Sequence, residues 1–156
     1  MFNLSITLKL GELIKKNYPY IKLIYTRDKD EFPELHERTR IANLNKAKLF
    51  ISIHCNHMKE GESSDKNGFE IYILNRERFN EAIDITAKEN QLINFGNNYK
   101  DDIDRYILST LAQTSYVKYS GYLAYNFEMN LNQSVEILSR GVMDADYWVI
   151  TGSSMP

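Results

Sequence analysis

Short runs of β-forming residues alternate along this chain with longer segments of helical periodicity. The runs are IKLIYT (Ile21–Thr26), LFISI (Leu49–Ile53), GFEIYIL (Gly68–Leu74) and DYWVIT (Asp146–Thr151). Helical spacing predicts helices over Asn3–Asn17, from Pro33 to about Ala47, over Arg76–Phe95 and over Asp101–Leu131. SRGVMDA, between the last helix and the last run, is predicted to be a turn. Strands separated by helices long enough to cross over predict an α/β fold, with a mainly parallel or mixed sheet flanked by helices.

The spacing of apolar residues also predicts which side of two helices is buried. In the first helix, the predicted buried side comprises Phe2, Ile6, Leu10, Leu13 and Ile14, and Leu4 and Leu8 widen it. In the last helix, it comprises Tyr116, Ser120, Leu123, Ala124, Phe127 and Leu131.

Composition limits the class of protein. A chain of 156 residues with 43% hydrophobic residues predicts one domain over residues 1–156. A net charge of -2 implies no general attraction to nucleic acid or to an anionic membrane. The sequence contains no run of about 18 apolar residues, so no transmembrane segment is predicted. The N-terminus lacks the features of a secretory signal peptide. The single cysteine, Cys55, cannot form an internal disulfide and leaves the redox compartment open.

The run LFISI ends on a histidine, His54, where the carboxyl end of a buried strand is expected. Ligands of open α/β sheets gather beyond such ends, and a neutral imidazole there is suited to bind zinc. A hydrolytic zinc site needs about three protein ligands and a water. Spacing alone therefore favours a plainer interpretation, a histidine hydrogen-bonded at the end of a strand.

Four other residues are weaker candidates for chemistry. His57 would reach the same metal only if the backbone turned at Asn56, and the helical pattern places His36 towards solvent. Glu70 could point to the same edge of the sheet, but its spacing favours a polar residue on a half-exposed strand. A Cys55 nucleophile activated by His54 is disfavoured, because adjacent residues of an extended chain point to opposite faces.

Five segments together resemble a known enzyme family. They are NLSITLKLGELI, IYTRDKDEFPELHERTRIANLNKAKLFISIHCN, GFEIYIL, SGYLAYNFE and SRGVMDADYWVITGSSMP, in this order and over nearly the whole chain. The chain resembles the zinc-dependent N-acetylmuramoyl-L-alanine amidases of the amidase 3 type. These enzymes cut the amide between the lactyl group of N-acetylmuramic acid and the L-alanine of the peptidoglycan stem peptide.

The resemblance implies a peptidoglycan hydrolase with a Zn²⁺ cofactor, in which His54 is one of three metal ligands. The family's other two ligands, a histidine in a DPGHGG-like loop and a glutamate before the first helix, have no counterpart in this sequence. The family's general-base glutamate is expected beyond Pro156. The resemblance thus implies a partial amidase or zinc-exopeptidase-like domain without its terminal strands, of little or no activity alone. The full-length protein is expected in the periplasm or cell envelope.

The remaining polar residues of the matching segments are predicted to be structural. Arg27, Asp30, Arg38 and Asn43 are expected to fix the connection between two strands by hydrogen bonds, and Arg140 to orient the turn before DYWVIT. Two alternatives to the amidase stay open: a non-catalytic domain that binds the cell wall, and a related zinc exopeptidase. The sequence leaves the oligomeric state and the preferred stem peptide undetermined.

Overall fold

The computed structural model describes residues 2–56, 67–74 and 99–156. Its helices are α1 (Phe2–Asn17), α2 (Leu35–Leu44), α3 (Tyr99–Ser134) and α4 (Trp148–Thr151), and its strands are β1 (Phe69–Leu74) and β2 (Ser139–Ala145). Strands β1 and β2 pair in parallel, which confirms the predicted α/β class. The predicted helix Arg76–Phe95, His57 and most of the loop that follows it lie outside the described residues.

Helix α3 covers the sheet and leads back to it. Parallel neighbours need a crossover connection, and α3 packs against both β1 and β2. Its predicted buried side is confirmed over most of its length, since Ala124 is buried and Tyr116, Ser120 and Leu123 are half-buried. Phe127 is the exception on this side, because it is exposed. The opposite side presents Tyr119, Tyr122 and Tyr125 to solvent.

The pairing of β1 with β2 contains a β-bulge near its start. Phe69 pairs with Ser139, whereas Ile71 pairs with Val142, so β2 uses one residue more than β1 in this interval. Gly141 has a φ of 97°, which favours glycine. The prediction of a turn at SRGVMDA is therefore wrong, because Gly141 serves a bulge within a strand.

The final β-rich run, DYWVIT, contains a helix rather than the predicted strand. The Thr151 amide donates to the Tyr147 carbonyl at 3.1 Å, which closes a helical turn. Helix α4 packs against α2, and Ala42 and Val149 are both buried. Tertiary packing thus overrides the β-propensity of this segment.

Helix α1 is covered on only part of the predicted side, where Leu10 and Ile14 are half-buried. Its buried residue is Gly11, where an added Cβ would overlap the phenol of Tyr25. Leu4 and Leu8 lie on the same side as Gly11 and are half-buried. Phe2, Ile6 and Leu13 of the predicted side are exposed. The glycine, which carries no hydrophobic signal of its own, decides where the aromatic ring packs.

Two predicted strands, 21–26 and 49–53, are not strands in the structure. A strand requires a ladder of hydrogen bonds to a neighbour, and the Phe50 amide makes one such bond, to the Pro156 carbonyl at 2.8 Å. Over residues 2–56, 67–74 and 99–156, no helix is both long and apolar enough to cross a membrane.

Candidate active site

Residues 49–56, here called the histidine segment, contact three other parts of the molecule. The Phe50 amide bonds the Pro156 carbonyl near the start of the segment. Near its end, the Cys55 thiol donates to Asn3 Oδ1 of α1 at 2.8 Å. Asn56 Nδ2 donates to Glu70 Oε2 of β1, also at 2.8 Å. Side chains rather than a strand ladder therefore fix the end that carries His54.

His54 is exposed, and its imidazole contacts the side chain two residues earlier. His54 Nε2 lies 2.7 Å from Ser52 Oγ, and the imidazole tautomer decides which of the two donates. Desolvation by surrounding protein lowers the pKa of His54, and the positive charge of Arg38 lowers it further. The ring is therefore neutral at pH 7, the form in which an imidazole accepts a proton or binds a metal.

Cys55 points away from its histidine neighbour. Its thiol hydrogen-bonds Asn3 of α1, whereas the His54 ring contacts Ser52. This arrangement agrees with the expectation that adjacent side chains of an extended chain face opposite sides. Cys55 is exposed and free, but its observed contact does not make it a nucleophile activated by His54.

The described residues do not by themselves fit a zinc ion. No three His, Cys, Asp or Glu side chains in residues 2–56, 67–74 and 99–156 lie close enough together to hold one. His36 is exposed on α2, as the helical pattern predicts, and His57 lies outside these ranges. One of the two nitrogens of His54 already bonds Ser52. A tetrahedral zinc site needs about three protein ligands, and this part of the chain provides one imidazole.

Glu70 is the centre of a polar group that sequence reasoning missed. Its Oε2 accepts hydrogen bonds from Asn56 Nδ2 at 2.8 Å and from the Tyr72 hydroxyl at 2.6 Å. Its Oε1 lies 2.8 Å from Nη1 of Arg140 on β2. These four residues are called the Glu70 cluster below. Strand β1 is half-buried over most of its length, which agrees with the prediction of a polar residue on a half-exposed strand. The Glu70 side chain itself is only 11% exposed.

Arg140 has a role different from the one predicted. It lies in β2, opposite the carboxylate of β1, and does not orient a turn. A signal for this pair exists in the sequence: a glutamate within the apolar run GFEIYIL requires a cationic or hydrogen-bonding partner if the strand is buried. The sequence does not show that this partner lies at position 140, because the two residues meet only through the folded sheet.

Tyr72 extends the Glu70 cluster towards the surface. The hydrogen bond to Glu70 is the main cause that raises the pKa of Tyr72 far above its ordinary value, followed by burial and by a hydrogen bond with Tyr147. The two tyrosine rings stack edge to face with centroids 5.0 Å apart, a favoured aromatic geometry. The cluster thus joins the histidine segment, both strands and the start of α4.

Asn43 joins α2 to the residues after α4. Its Nδ2 donates to the Gly152 carbonyl at 3.0 Å, and its Oδ1 accepts from the amide and the hydroxyl of Ser154 at 3.1 and 3.0 Å. A Cβ at Gly152 would lie 2.8 Å from Thr39 Oγ1, so α2 and this loop are in close contact. Asn43 is structural, as predicted, but it joins α2 to the loop after α4 and does not fix the connection between two strands.

Arg27 and Arg38 also bond backbone carbonyls. Arg27 Nη1 donates to the Glu31 carbonyl at 2.6 Å, and Arg38 Nε donates to the Pro33 carbonyl at 2.9 Å. Burial, followed by the charge of Arg27, lowers the pKa of Arg38. Both arginines therefore shape the loop before α2, as predicted, and Arg38 also places positive charge near His54. The role of Asp30 stays a prediction.

Comparison with known proteins identifies the family. Residues 1–156 match the family described as N-acetylmuramoyl-L-alanine amidase, of the amidase 3 type. The chain belongs to this amidase family. It is 28% identical over 144 residues to a Haemophilus influenzae protein described as "Probable N-acetylmuramoyl-L-alanine amidase AmiB", covering 88% of this chain. The aligned region spans 32% of that relative's length. The comparison with solved structures gave no match.

Membership of the amidase family gives the histidine segment its functional interest. The match includes the residues that hold this segment in place, Asn3, Glu70 and Pro156 among them. The resemblance proposed from SIHCN and its flanking segments is thereby confirmed. Within the described residues, the structure adds the contacts of the Glu70 cluster, which join residues from separate sequence motifs.

Proposed function

We propose that the protein containing this sequence hydrolyses the amide bond between the lactyl group of N-acetylmuramic acid and L-alanine of the peptidoglycan stem peptide. The observation that carries the proposal is the match to the amidase family over residues 1–156. The related Haemophilus influenzae protein, whose printed name is that of such an amidase, supports it. Peptidoglycan as substrate makes the cell envelope or periplasm the proposed location.

His54 is the residue proposed to serve the reaction. Its position at an exposed end of the histidine segment leaves it accessible to a polymeric substrate. Its lowered pKa keeps the ring neutral, and Ser52 restricts its rotation. Zn²⁺ belongs to the proposal as the cofactor, with His54 as one ligand. The described residues do not complete a zinc site, so further ligands have to come from residues outside them.

Hydrolysis of purified peptidoglycan tests the substrate and the bond. The protein is incubated with sacculi, and newly exposed N-terminal L-alanine is measured by amino-group labelling and mass spectrometry of the released stem peptides. His54→Gln is expected to lower the rate about 100-fold or more, because even the partners of metal ligands contribute 10- to 100-fold. His36→Gln, at an exposed histidine of α2, is the matched control and is expected to keep wild-type activity.

Zinc binding is tested separately from activity. The metal-free protein is titrated with Zn²⁺ in competition with a chromophoric chelator, in the wild type and in His54→Gln. If residues outside the described ranges complete the site, the wild type binds zinc tightly and His54→Gln weakens binding. Binding no tighter than that of one imidazole, equal in both proteins, would contradict zinc as the cofactor of this chain.

A non-catalytic domain that binds the cell wall is the second candidate. The observation that favours it is the lack of a three-ligand metal group among residues 2–56, 67–74 and 99–156. Co-sedimentation with sacculi, without release of stem peptides at any zinc concentration, would support binding over hydrolysis. Cleavage of free peptides in preference to muropeptides would instead support the zinc exopeptidase.

A further inference from the structure

We propose that Glu70 is a positioning residue, whose carboxylate holds the His54 end of the histidine segment against the sheet through Asn56. The inference rests on the proposed function, because His54 is the residue of that site which the segment carries. Glu70 does not contact His54 itself. Its effect on the reaction is therefore indirect, through the backbone between His54 and Asn56.

Glu70 is largely enclosed by protein. A carboxylate that is only 11% exposed loses much of its hydration, and such a group is retained only if protein donors replace water. Here three donors do so: Asn56 Nδ2, the Tyr72 hydroxyl and the Arg140 guanidinium. Hydrogen bonds to an ionised carboxylate are about twice as strong as neutral ones. Asn56 is thus bonded to an acceptor that is itself fixed on two strands.

The backbone around the ion pair is shaped to fit it. Two residues of β2, Arg140 and Gly141, lie opposite Glu70 in the bulge. A Cβ at Gly68 would lie 3.1 and 3.2 Å from Cγ and Cδ of Arg140, so the stem of this arginine occupies the space that the glycine leaves. Bulges commonly re-aim side chains beside active sites. The position of the acceptor is therefore set by the fold of the sheet and not by the segment it holds.

The histidine segment is attached to the rest of the described chain by few hydrogen bonds. Its one backbone hydrogen bond to another part of the described chain is that of Phe50, four residues before His54. The end that carries His54 is fixed by two side-chain contacts, from Cys55 to α1 and from Asn56 to β1. The donor in the first is a thiol, which is a weak donor. The Asn56–Glu70 hydrogen bond is consequently the stronger restraint on His54.

Hydrogen exchange of the chain measures the positioning without any need for activity. Asn56→Ala removes the hydrogen bond and leaves Glu70 paired with Tyr72 and Arg140. We expect protection of the Phe50 amide, which lies within the histidine segment and bonds the Pro156 carbonyl, to fall about tenfold, the loss expected for one hydrogen bond to a charged group, while protection in β1 and α3 is unchanged. Asn45→Ala is the matched control, because it removes an exposed 2.9 Å hydrogen bond to Ile41 on α2 and should leave the histidine segment unaffected. Equal protection of this segment in the two variants would overturn the proposal.

Kinetics separate positioning from a purely structural role. In peptidoglycan hydrolysis by the folded protein, Asn56→Ala is expected to lower kcat about tenfold and to change KM less than about twofold. A misplaced reacting group weakens the stabilisation of the transition state more than it weakens substrate binding. Glu70→Gln should show the same pattern, and Glu37→Gln, which loses the carboxylate of an exposed ion pair, should not. If Asn56→Ala keeps the wild-type kcat although hydrogen-exchange protection of the histidine segment falls, the role of Glu70 in the reaction is overturned. If the wild-type protein does not hydrolyse peptidoglycan, the proposed function is refuted. The hydrogen-exchange comparison would still test whether Glu70 positions the histidine segment.

Discussion

Among the residues that the structure describes, two Glu–Arg ion pairs have nearly equal lengths but lie in very different settings. Glu70 and Arg140 approach to 2.8 Å, with side chains 11% and 38% exposed. Glu37 and Arg40 approach to 2.7 Å, with side chains 33% and 58% exposed, and lie three residues apart on α2. The first pair joins two strands across 70 positions of sequence, and the second lies within one helix. Distance alone therefore does not measure what an ion pair contributes.

The difference lies in what each pair would leave behind if it were broken. Water can replace either partner of the α2 pair, because both face solvent. A Glu70 carboxylate without Arg140 would remain largely enclosed, and only the hydrogen bonds from Asn56 and Tyr72 would compensate its desolvation. The four predictions that follow test this contrast, from the largest expected effect to the smallest.

The largest effect is expected where the backbone makes room for the Glu70–Arg140 pair. Gly68 has a φ of 138°, and a Cβ there would lie 2.5 Å from the Leu138 carbonyl oxygen. That oxygen accepts the amide of Phe69 at the start of β1. Gly68→Ala should therefore lower the free energy of unfolding by about 3 kcal/mol, through backbone strain together with steric overlap. Urea unfolding followed by circular dichroism measures the loss.

A matched glycine substitution controls for composition. Gly121 lies within α3, and an added Cβ would meet no atom within 4 Å. Gly121→Ala should stabilise the protein by up to about 1 kcal/mol, because alanine has the higher helix propensity. A destabilisation equal to that of Gly68→Ala would show that neither the strain nor the contact with Arg140 matters.

The second prediction removes the cation that pairs with the enclosed Glu70 carboxylate. Arg140→Met keeps much of the aliphatic stem and leaves Glu70 without its guanidinium. We expect a loss of about 2 kcal/mol in the free energy of unfolding, the range for an unsatisfied charged group. In a double-mutant cycle, Arg140→Met should cost much less when Glu70 is already Gln. Additive effects of the two substitutions would show that the pair contributes nothing beyond its separate side chains.

The same contrast explains how much of the fold the sequence predicted. The α3 helix and most of its buried side followed from spacing, because helical periodicity is local and the sheet covers the predicted side. The strand β1 followed from a continuous β-rich run. Strand β2 did not, because Arg140–Gly141 has the composition of a turn and becomes a bulge only beside β1. DYWVIT failed for a similar reason, since its conformation depends on packing against α2.

The candidate site was likewise predicted only where the signal is local in the sequence. His54 was found because an apolar run that ends on a histidine is a local signal. The attachment of His54 through Asn56 and Glu70 was not found, because it depends on the contact between the histidine segment and β1. In the sequence, a buried carboxylate is visible only as an acidic residue within an apolar run. The neighbouring residues do not identify the groups that hydrogen-bond it.

The third prediction concerns the neutral donor of the Glu70 cluster and its dependence on pH. The pKa of Tyr72 is raised above 10.0, mainly by its hydrogen bond to Glu70. The folded protein therefore holds this proton more tightly than the unfolded chain, so the stabilisation is complete below pH 10 and is lost as the pH rises further. Tyr72→Phe should cost about 1 kcal/mol at pH 8.

The difference between wild type and Tyr72→Phe should then shrink above pH 10. Urea unfolding of both proteins at pH 8, 10 and 11 measures it, and the other tyrosines and the lysines cancel in the comparison. A difference that grows with pH would mean that the Tyr72 hydroxyl does not donate to Glu70.

The smallest effect is expected at the exposed pair. Arg40 donates to both oxygens of Glu37 at 2.7 Å, and the hydrogen bond from Arg40 lowers the pKa of Glu37. Glu37→Gln should nevertheless leave the midpoint of urea unfolding at pH 7 unchanged within error, because both side chains return to water when the pair is lost. The same result is expected at 1 M salt, where screening removes most of the attraction between exposed charges. A loss comparable to that of Arg140→Met would show that the short, bidentate geometry, and not burial across the sheet, decides the strength of an ion pair in this protein.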